Sequence, residues 1–197
     1  MKTLKIKHTH VYFTSDEHFF HTNIIKYCHR PYSSIEEMNK DFIKRFNEKV
    51  KEKNAITFHL GDFALTYNID KVNSIIEKLN GKHVFLAGSH DHWLEKIHRI
   101  NQDKLFYPYI HEILNVEIEG NLICLCHYQL TVWHKSHYNS FHLYGHAHGK
   151  SKRIGRSMDV GVDCWNYYPL SYNEVINLLS PFNNINLIPP LKEKIKN

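Results

Sequence analysis

Histidine and aspartate recur at one kind of place in this sequence. Five times an apolar run of strand character ends directly in them. Residues 10–14 lead to Asp16-Glu17-His18, residues 55–60 to Asp62, residues 83–87 to His90-Asp91, residues 122–126 to His127, and residues 141–144 to His146-Ala147-His148. In open α/β sheets, ligands bind beyond the carboxyl ends of the strands. Five strands that each deliver a carboxylate or an imidazole to that edge build one shared cluster. Acids and histidines at single strand ends are common, and coincidence would have to work five times. In an extended segment residues i and i+2 point the same way, which lets Asp16 with His18, and His146 with His148, face a common ion. Gly145 admits a tight approach of backbone to the cluster. Asp62 follows Gly61 on a turn, and its two oxygens are able to bridge two cations. The donors are oxygen and nitrogen with no thiolate. That set suits manganese, iron, zinc or nickel and not a structural thiolate zinc site.

The elements that must carry these residues come in βα order first and mostly β order later. Strands are expected at 10–14, 55–60, 83–87, 113–118, 122–126, 141–144 and 157–162, and helices at 34–53, 70–80, 92–100 and 172–179. Ser34 with Glu37 reads as a capping box, followed by an apolar stripe of Ile35, Met38, Phe42, Phe46 and Val50. Gly81 is placed to end the second helix, and Glu119-Gly120-Asn121 to turn a hairpin. The pattern favours an α/β layered fold with a mixed sheet or two packed sheets. At 197 residues the chain is expected to form one domain, over residues 1–180, with 181–197 as a proline-containing C-terminal arm or tail and candidate dimer contact. A 42% hydrophobic content supports a core and excludes a disordered chain. A net charge of +5 suits an anionic substrate without demanding nucleic acid. No apolar stretch approaches the roughly 20 residues of a membrane span. The opening Met1-Lys2-Thr3-Leu4 has no apolar signal block, and the four cysteines form no CxxC pair, so a reducing cytoplasm is expected.

In order, the motifs are Asp16-x-His18, Gly61-Asp62, Gly88-Ser89-His90-Asp91, His127 and Gly145-His146-Ala147-His148. Together they resemble the calcineurin-like metallophosphoesterases, from about residue 10 to about residue 170. Each motif alone is weak, but five in the right order are specific. The stretches SDEHFFHTNIIKYCHRP and DVGVDCWNYYPLS look like the small bacterial and phage branch of that family. The resemblance implies a four-layer α/β fold, two facing mixed β-sheets flanked by helices, with a two-metal centre. Carried over position by position, Asp16, His18 and His148 hold the first metal, Asp62 bridges, and His127 and His146 hold the second. His90 sits beside the metals, with Asp91 supporting its imidazole. Ser89 departs from the pattern, because the family usually has an asparagine whose side-chain oxygen completes the second site. A serine hydroxyl is shorter and a poorer ligand. It coordinates, leaves the position to water, or weakens occupancy.

The implied activity is that of a phosphohydrolase with two divalent ions, manganese first, with iron, zinc or nickel as alternatives. A phosphodiesterase acting on a nucleotide or cyclic nucleotide comes first. The attacking group is a bridging hydroxide and His90 is the general acid. A phosphomonoesterase, a nuclease, or a metal-stabilised binding module impaired by Ser89 are the alternatives. The expected partner is a small phosphoester, with nucleic acid less favoured and no membrane, on a monomer or homodimer. Other residues stay open. His21 and Asn23 either touch substrate phosphate or cap a helix beginning near Thr22. Arg30 is a phosphate clamp or a surface residue, and the basic run 150–156 steers substrate or is a solvated loop. Trp133, His134, His137 and Tyr138, with Tyr128, form a pocket wall or simple packing. His59 and His83 are assigned to structure or surface.

Overall fold

The computed structural model describes residues 3–7 and 10–184. Its elements are β1 (Thr3–Ile6), β2 (Val11–Thr14), α1 (Thr22–Tyr27), α2 (Ile35–Lys49), β3 (Ile56–His59), α3 (Ile69–Ile76), β4 (Lys82–Phe85), β5 (Ile113–Ile118), β6 (Asn121–Cys126), β7 (Phe141–Tyr144), β8 (Ser157–Asp159), β9 (Leu170–Ser171) and α4 (Tyr172–Leu179). They form two mixed sheets, of order β4-β3-β2-β9 and β1-β5-β6-β7-β8. Strands β2, β3 and β4 run parallel, as do β6, β7 and β8, so within each sheet their carboxyl ends share one edge.

Alternation along the strands builds the layers. Phe13, Ile56, Phe58 and Val84 meet Val116, Ile123, Leu125 and Leu143 between the sheets. Tyr12 and Phe85 belong to a second core with Met38, Phe42 and Phe46 of α2 and Val72 and Ile76 of α3. Helix α4 contributes Val175 and Leu179 to the core between the sheets. The outer side of β6 and β7 is covered differently. Trp133, from the loop after β6, packs its ring 5.2 Å from that of buried His142. The helical layer expected on both outer faces is thus observed against the four-stranded sheet, while a loop lies over this part of the other.

Several expected boundaries move for local reasons. In α2 the Ser34 hydroxyl accepts from the Glu37 amide, but the Glu37 carboxylate reaches back to Ser33 rather than Ser34. Asn68 caps α3, accepting from the amides of Asp70 and Lys71. Residues 92–99 wind as 3₁₀ turns with a kink at Lys96 instead of a regular helix. Ile118 pairs with Asn121, so the β5–β6 turn has two residues, Glu119 and Gly120, where three were expected. The short strands β1 and β9 were not anticipated. The four cysteines are free, and no helix among the described residues is long and apolar enough to cross a membrane. The expected C-terminal arm lies, beyond Asn184, outside the described residues.

Candidate metal centre

The loops leaving β2, β3, β6 and β7 converge, but not as extended chain. Asp16, His18, Asp62, His146 and His148 all have left-handed backbone, with φ between 46° and 65°. The extended-segment argument for the i, i+2 pairs is therefore replaced by a turn at each donor, and Glu17 is sent the other way into the interior. Such backbone costs about 1–3 kcal/mol per residue and persists only where its surroundings fix it. Here the amide of Asp16 donates to Gly61 O at 3.0 Å and that of His18 to Asp62 O at 2.9 Å. Two glycines make the approach feasible. A Cβ on Gly88 would collide with the Asp62 nitrogen, and one on Gly145 with Ser15 Oγ.

Among the described residues four groups of donors result, two of which, His18 with His21 and His90, and Cys28 with His148 and Asp163, border the two expected ones. Ligand atoms of Asp16, His18 and His148 lie within 4.8 Å of one another, and so do those of Asp62, His127 and His146. Asp62 joins these last two groups, with Oδ2 at 3.7 Å from His18 Nε2 and 3.4 Å from His127 Nε2. Both of those nitrogens are buried and have no hydrogen-bond partner. The His127 Nδ1 faces Leu60 O at 2.8 Å. A carbonyl only accepts, so Nδ1 carries the hydrogen, and in the neutral ring Nε2 is left with its lone pair; against its burial, the neighbouring Asp62 and Asp16 carboxylates raise the pKa of this imidazole. Similarly, His148 Nδ1 donates to Asp163 Oδ2 at 2.7 Å. An imidazole oriented by a carboxylate or carbonyl on its far nitrogen is the usual arrangement of a metal-binding histidine. Orphaned buried nitrogens beside carboxylates fit divalent cations, and the oxygen–nitrogen donor set suits them.

The electrostatics describe a site crowded with acids and bases. Burial pushes the Asp16 carboxyl up to about 7 against the pull of His127 and His148. Burial also drives His18 down to about 2. For Asp62 burial works upward, but the His127 side chain outweighs it and holds the carboxyl well below the usual range. His148 is opposed by burial yet raised to about 10, chiefly by Asp163.

No protein-family model matches the chain. Over 173 residues it is 35% identical to the uncharacterized protein MJ1445 of Methanocaldococcus jannaschii, covering 86% of this chain and 90% of that one. The chain belongs to the family of that archaeal protein. Among solved structures, AQ665 of Aquifex aeolicus, a protein of unknown function, shares the fold at a TM-score of 0.65 and 22% identity over 85% of this chain and 98% of its own. The phosphoesterase YfcE of E. coli aligns at a TM-score of 0.43 and 14% identity over 77% of each chain, too loosely to carry an argument.

Within this family member, the remaining expected residues fall in different places. His90 sets its ring 5.4 Å from those of His18 and His21, and its amide donates to Asp62 Oδ1 at 2.9 Å. The Ser89 hydroxyl donates to the Asp62 carboxylate at 3.2 Å. Asp91 does not support the His90 imidazole. Its carboxylate is buried and accepts from the amides of Asp62, Ala64 and Gly88 and from the Trp93 indole, so it braces the two ligand loops. His21 is the N-cap residue of α1 without a side-chain cap bond, and its Nδ1 lies 3.2 Å from that of His18. Asn23 is exposed within α1 and is not its cap.

Arg30 is neither a clamp nor a surface residue. Its guanidinium holds both Asp163 oxygens at 2.8 and 2.7 Å and the carbonyls of Asp16 and Glu17. Asp163, absent from the sequence expectations, thereby orients His148 while anchored by Arg30. Its only sequence signal was its place inside the DVGVDCWNYYPLS stretch. In the basic run, Arg156 donates to Ser180 O, Phe182 O and Asn139 O, and Arg153 lies over the Phe182 ring, so both arginines tether the chain after α4. Lys150 and Lys152 remain exposed. The aromatic loop divides: Trp133 is packing, whereas Tyr128 lies against His127 and His146.

Proposed function

We propose that the chain is a phosphohydrolase dependent on two divalent cations, foremost a phosphodiesterase acting on nucleotide-type phosphoesters. The observation that carries this reading is the Asp62 carboxylate oxygen standing between the orphaned Nε2 atoms of His18 and His127. Asp16, His18 and His148 would hold one cation, His127 and His146 the other, and Asp62 both. Bound there, the cations would neutralise phosphoryl oxygens and supply hydroxide near neutral pH. Manganese is the first choice for these donors.

The chain's own side chains do the rest. Asp91 ties the Gly88 and Asp62 loops together, which fixes the His90 amide on Asp62 Oδ1. That places the His90 imidazole beside the first donor group, where it donates a proton to the departing ester oxygen, a contribution of about 10²–10⁴-fold. His21 borders the same space. Phosphoryl transfer asks mainly for positioning and charge stabilisation, and a preformed cluster held by buried hydrogen bonds provides both.

A second reading, a binding module with impaired catalysis, rests on Ser89, whose hydroxyl is engaged with Asp62. Release of p-nitrophenol from mono- and bis-p-nitrophenyl phosphate separates the two. With manganese the chain turns over, Asp62→Asn abolishes turnover, and Ser89→Asn raises it by completing the second donor group. Absence of turnover with manganese, iron, zinc or nickel, in both the native chain and Ser89→Asn, would falsify the hydrolase reading and leave the module.

A further inference from the structure

Exposed tyrosines stand on both flanks of the cluster. Tyr128, 47% exposed, sets its ring edge-on to both imidazoles of one donor group, 4.9 Å from His127 and 4.7 Å from His146. Tyr27, 61% exposed, stands at the other flank, with its ring 6.2 Å from His21. His21 in turn lies 5.2 Å from His18 and 5.4 Å from His90. Single exposed aromatics are ordinary on protein surfaces. Here Tyr128 leans on the imidazoles of one donor group and Tyr27 on His21, which borders the other, so the two present a pair of platforms, and aromatic faces accept planar rings with little regard to their identity.

The flanks are not equivalent, because His90 belongs to the Tyr27 side. We propose that Tyr128 and Tyr27 are specificity residues that seat the two ester groups of a phosphodiester, the retained group on Tyr128 and the leaving group on Tyr27. The proposal rests on the phosphohydrolase reading. In the balanced step, the oxygen of water bonds to phosphorus and one of its protons passes to solvent. The bond from phosphorus to the leaving oxygen breaks with its electron pair. That oxygen takes the proton held by His90, giving a phosphomonoester and an alcohol. The group receiving the proton must lie on the His90 flank, so the group that stays on phosphorus faces Tyr128. The substrate class is a diester whose retained substituent carries a planar ring.

The test compares bis-p-nitrophenyl phosphate with p-nitrophenyl phosphate on the manganese-loaded full chain, since the monoester has no retained group. Tyr128→Ala lowers the diester-to-monoester ratio of kcat/KM about ten-fold, the size of one stacking contact. Tyr128→Phe, which keeps the ring, restores the ratio. Tyr27→Ala lowers both substrates by similar factors. Calorimetry supplies a reading independent of turnover: Tyr128→Ala weakens phenylphosphonate about ten-fold relative to inorganic phosphate. Tyr138→Ala, at a 75% exposed ring beyond β6, leaves both rates as they are. An active enzyme whose ratio is unmoved by Tyr128→Ala overturns this proposal alone. A chain inert to both esters overturns the hydrolase reading and the proposal together.

Discussion

Arg30 uses its guanidinium wholly inside the protein, with no exposed side-chain surface and a bidentate grip on Asp163. Removing one partner of a buried ion pair leaves the other charged and unpaired, which costs about 3–5 kcal/mol. Asp163 keeps its bond to His148, so Arg30→Met lowers unfolding stability by about 3 kcal/mol, the lower end of that range, in urea titrations, and Arg30→Lys recovers little because an ammonium lacks the planar fork. A loss below about 1 kcal/mol would contradict the buried pairing. Asp163→Asn acts differently. It removes the carboxylate that fixes the His148 tautomer, and affinity for manganese falls about 10–100-fold by calorimetric titration. At this scale the sequence exposes the donors, since each ends an apolar run. It hides their supports, since Arg30 and Asp163 are 133 positions apart and are joined only by folding. Asp91 shows the same limit: the family resemblance implied support of the His90 imidazole, whereas burial turned its carboxylate toward backbone amides.

Among the elements, α4 spans the residues its pattern gives, because Ser171 and Glu174 close a reciprocal capping box ahead of a clear apolar stripe. Strands β2 to β8 were legible for a similar reason, their continuous apolar runs, whereas β1, with Lys5 exposed between Leu4 and Ile6, was not. Strand β9 was not, since two residues carry no periodicity and pair only because β2 offers an edge. Nor does composition reveal left-handed backbone at Asp16 or His146. The β5–β6 turn is the informative case. Glu119 and Gly120 have φ of 49° and 81°, the signature of a primed two-residue turn, which favours asparagine before glycine. Glutamate is strained there, so Glu119→Asn raises stability by about 0.5 kcal/mol. Thermal unfolding measures it, and a destabilised variant would mean that the carboxylate does something the turn geometry does not require.

For the molecule as a whole, the number of histidines hides two populations. Some line the candidate centre, while His59, His83 and His142 are fully buried elsewhere. His59 is stacked between Phe85 and Phe46 and bonded to Glu17 and His83. His142 faces Cys124 O through Nδ1 and accepts from the Leu130 amide at 3.0 Å. Burial lowers His59 to about 3 and His142 to about 4, and carries His83 well below its ordinary value. These imidazoles fold neutral, while an unfolded histidine titrates near 6.5. Below that pH the unfolded chain binds protons the folded one refuses, so their contribution is fully present above about pH 6.5 and is lost as pH falls toward 4. Each histidine then costs about 2 kcal/mol between pH 7 and pH 5. Other groups titrate in that interval, so the decisive measurement is a difference between two proteins. The substitution His142→Gln puts a donor and an acceptor before the same two backbone partners but leaves no proton to gain. Urea unfolding of the cation-free native chain and of His142→Gln at both pH values should show the variant losing about 2 kcal/mol less on acidification. Equal losses would mean that His142 is charged within the fold, and that the loop over β6 and β7 admits the water needed to solvate it.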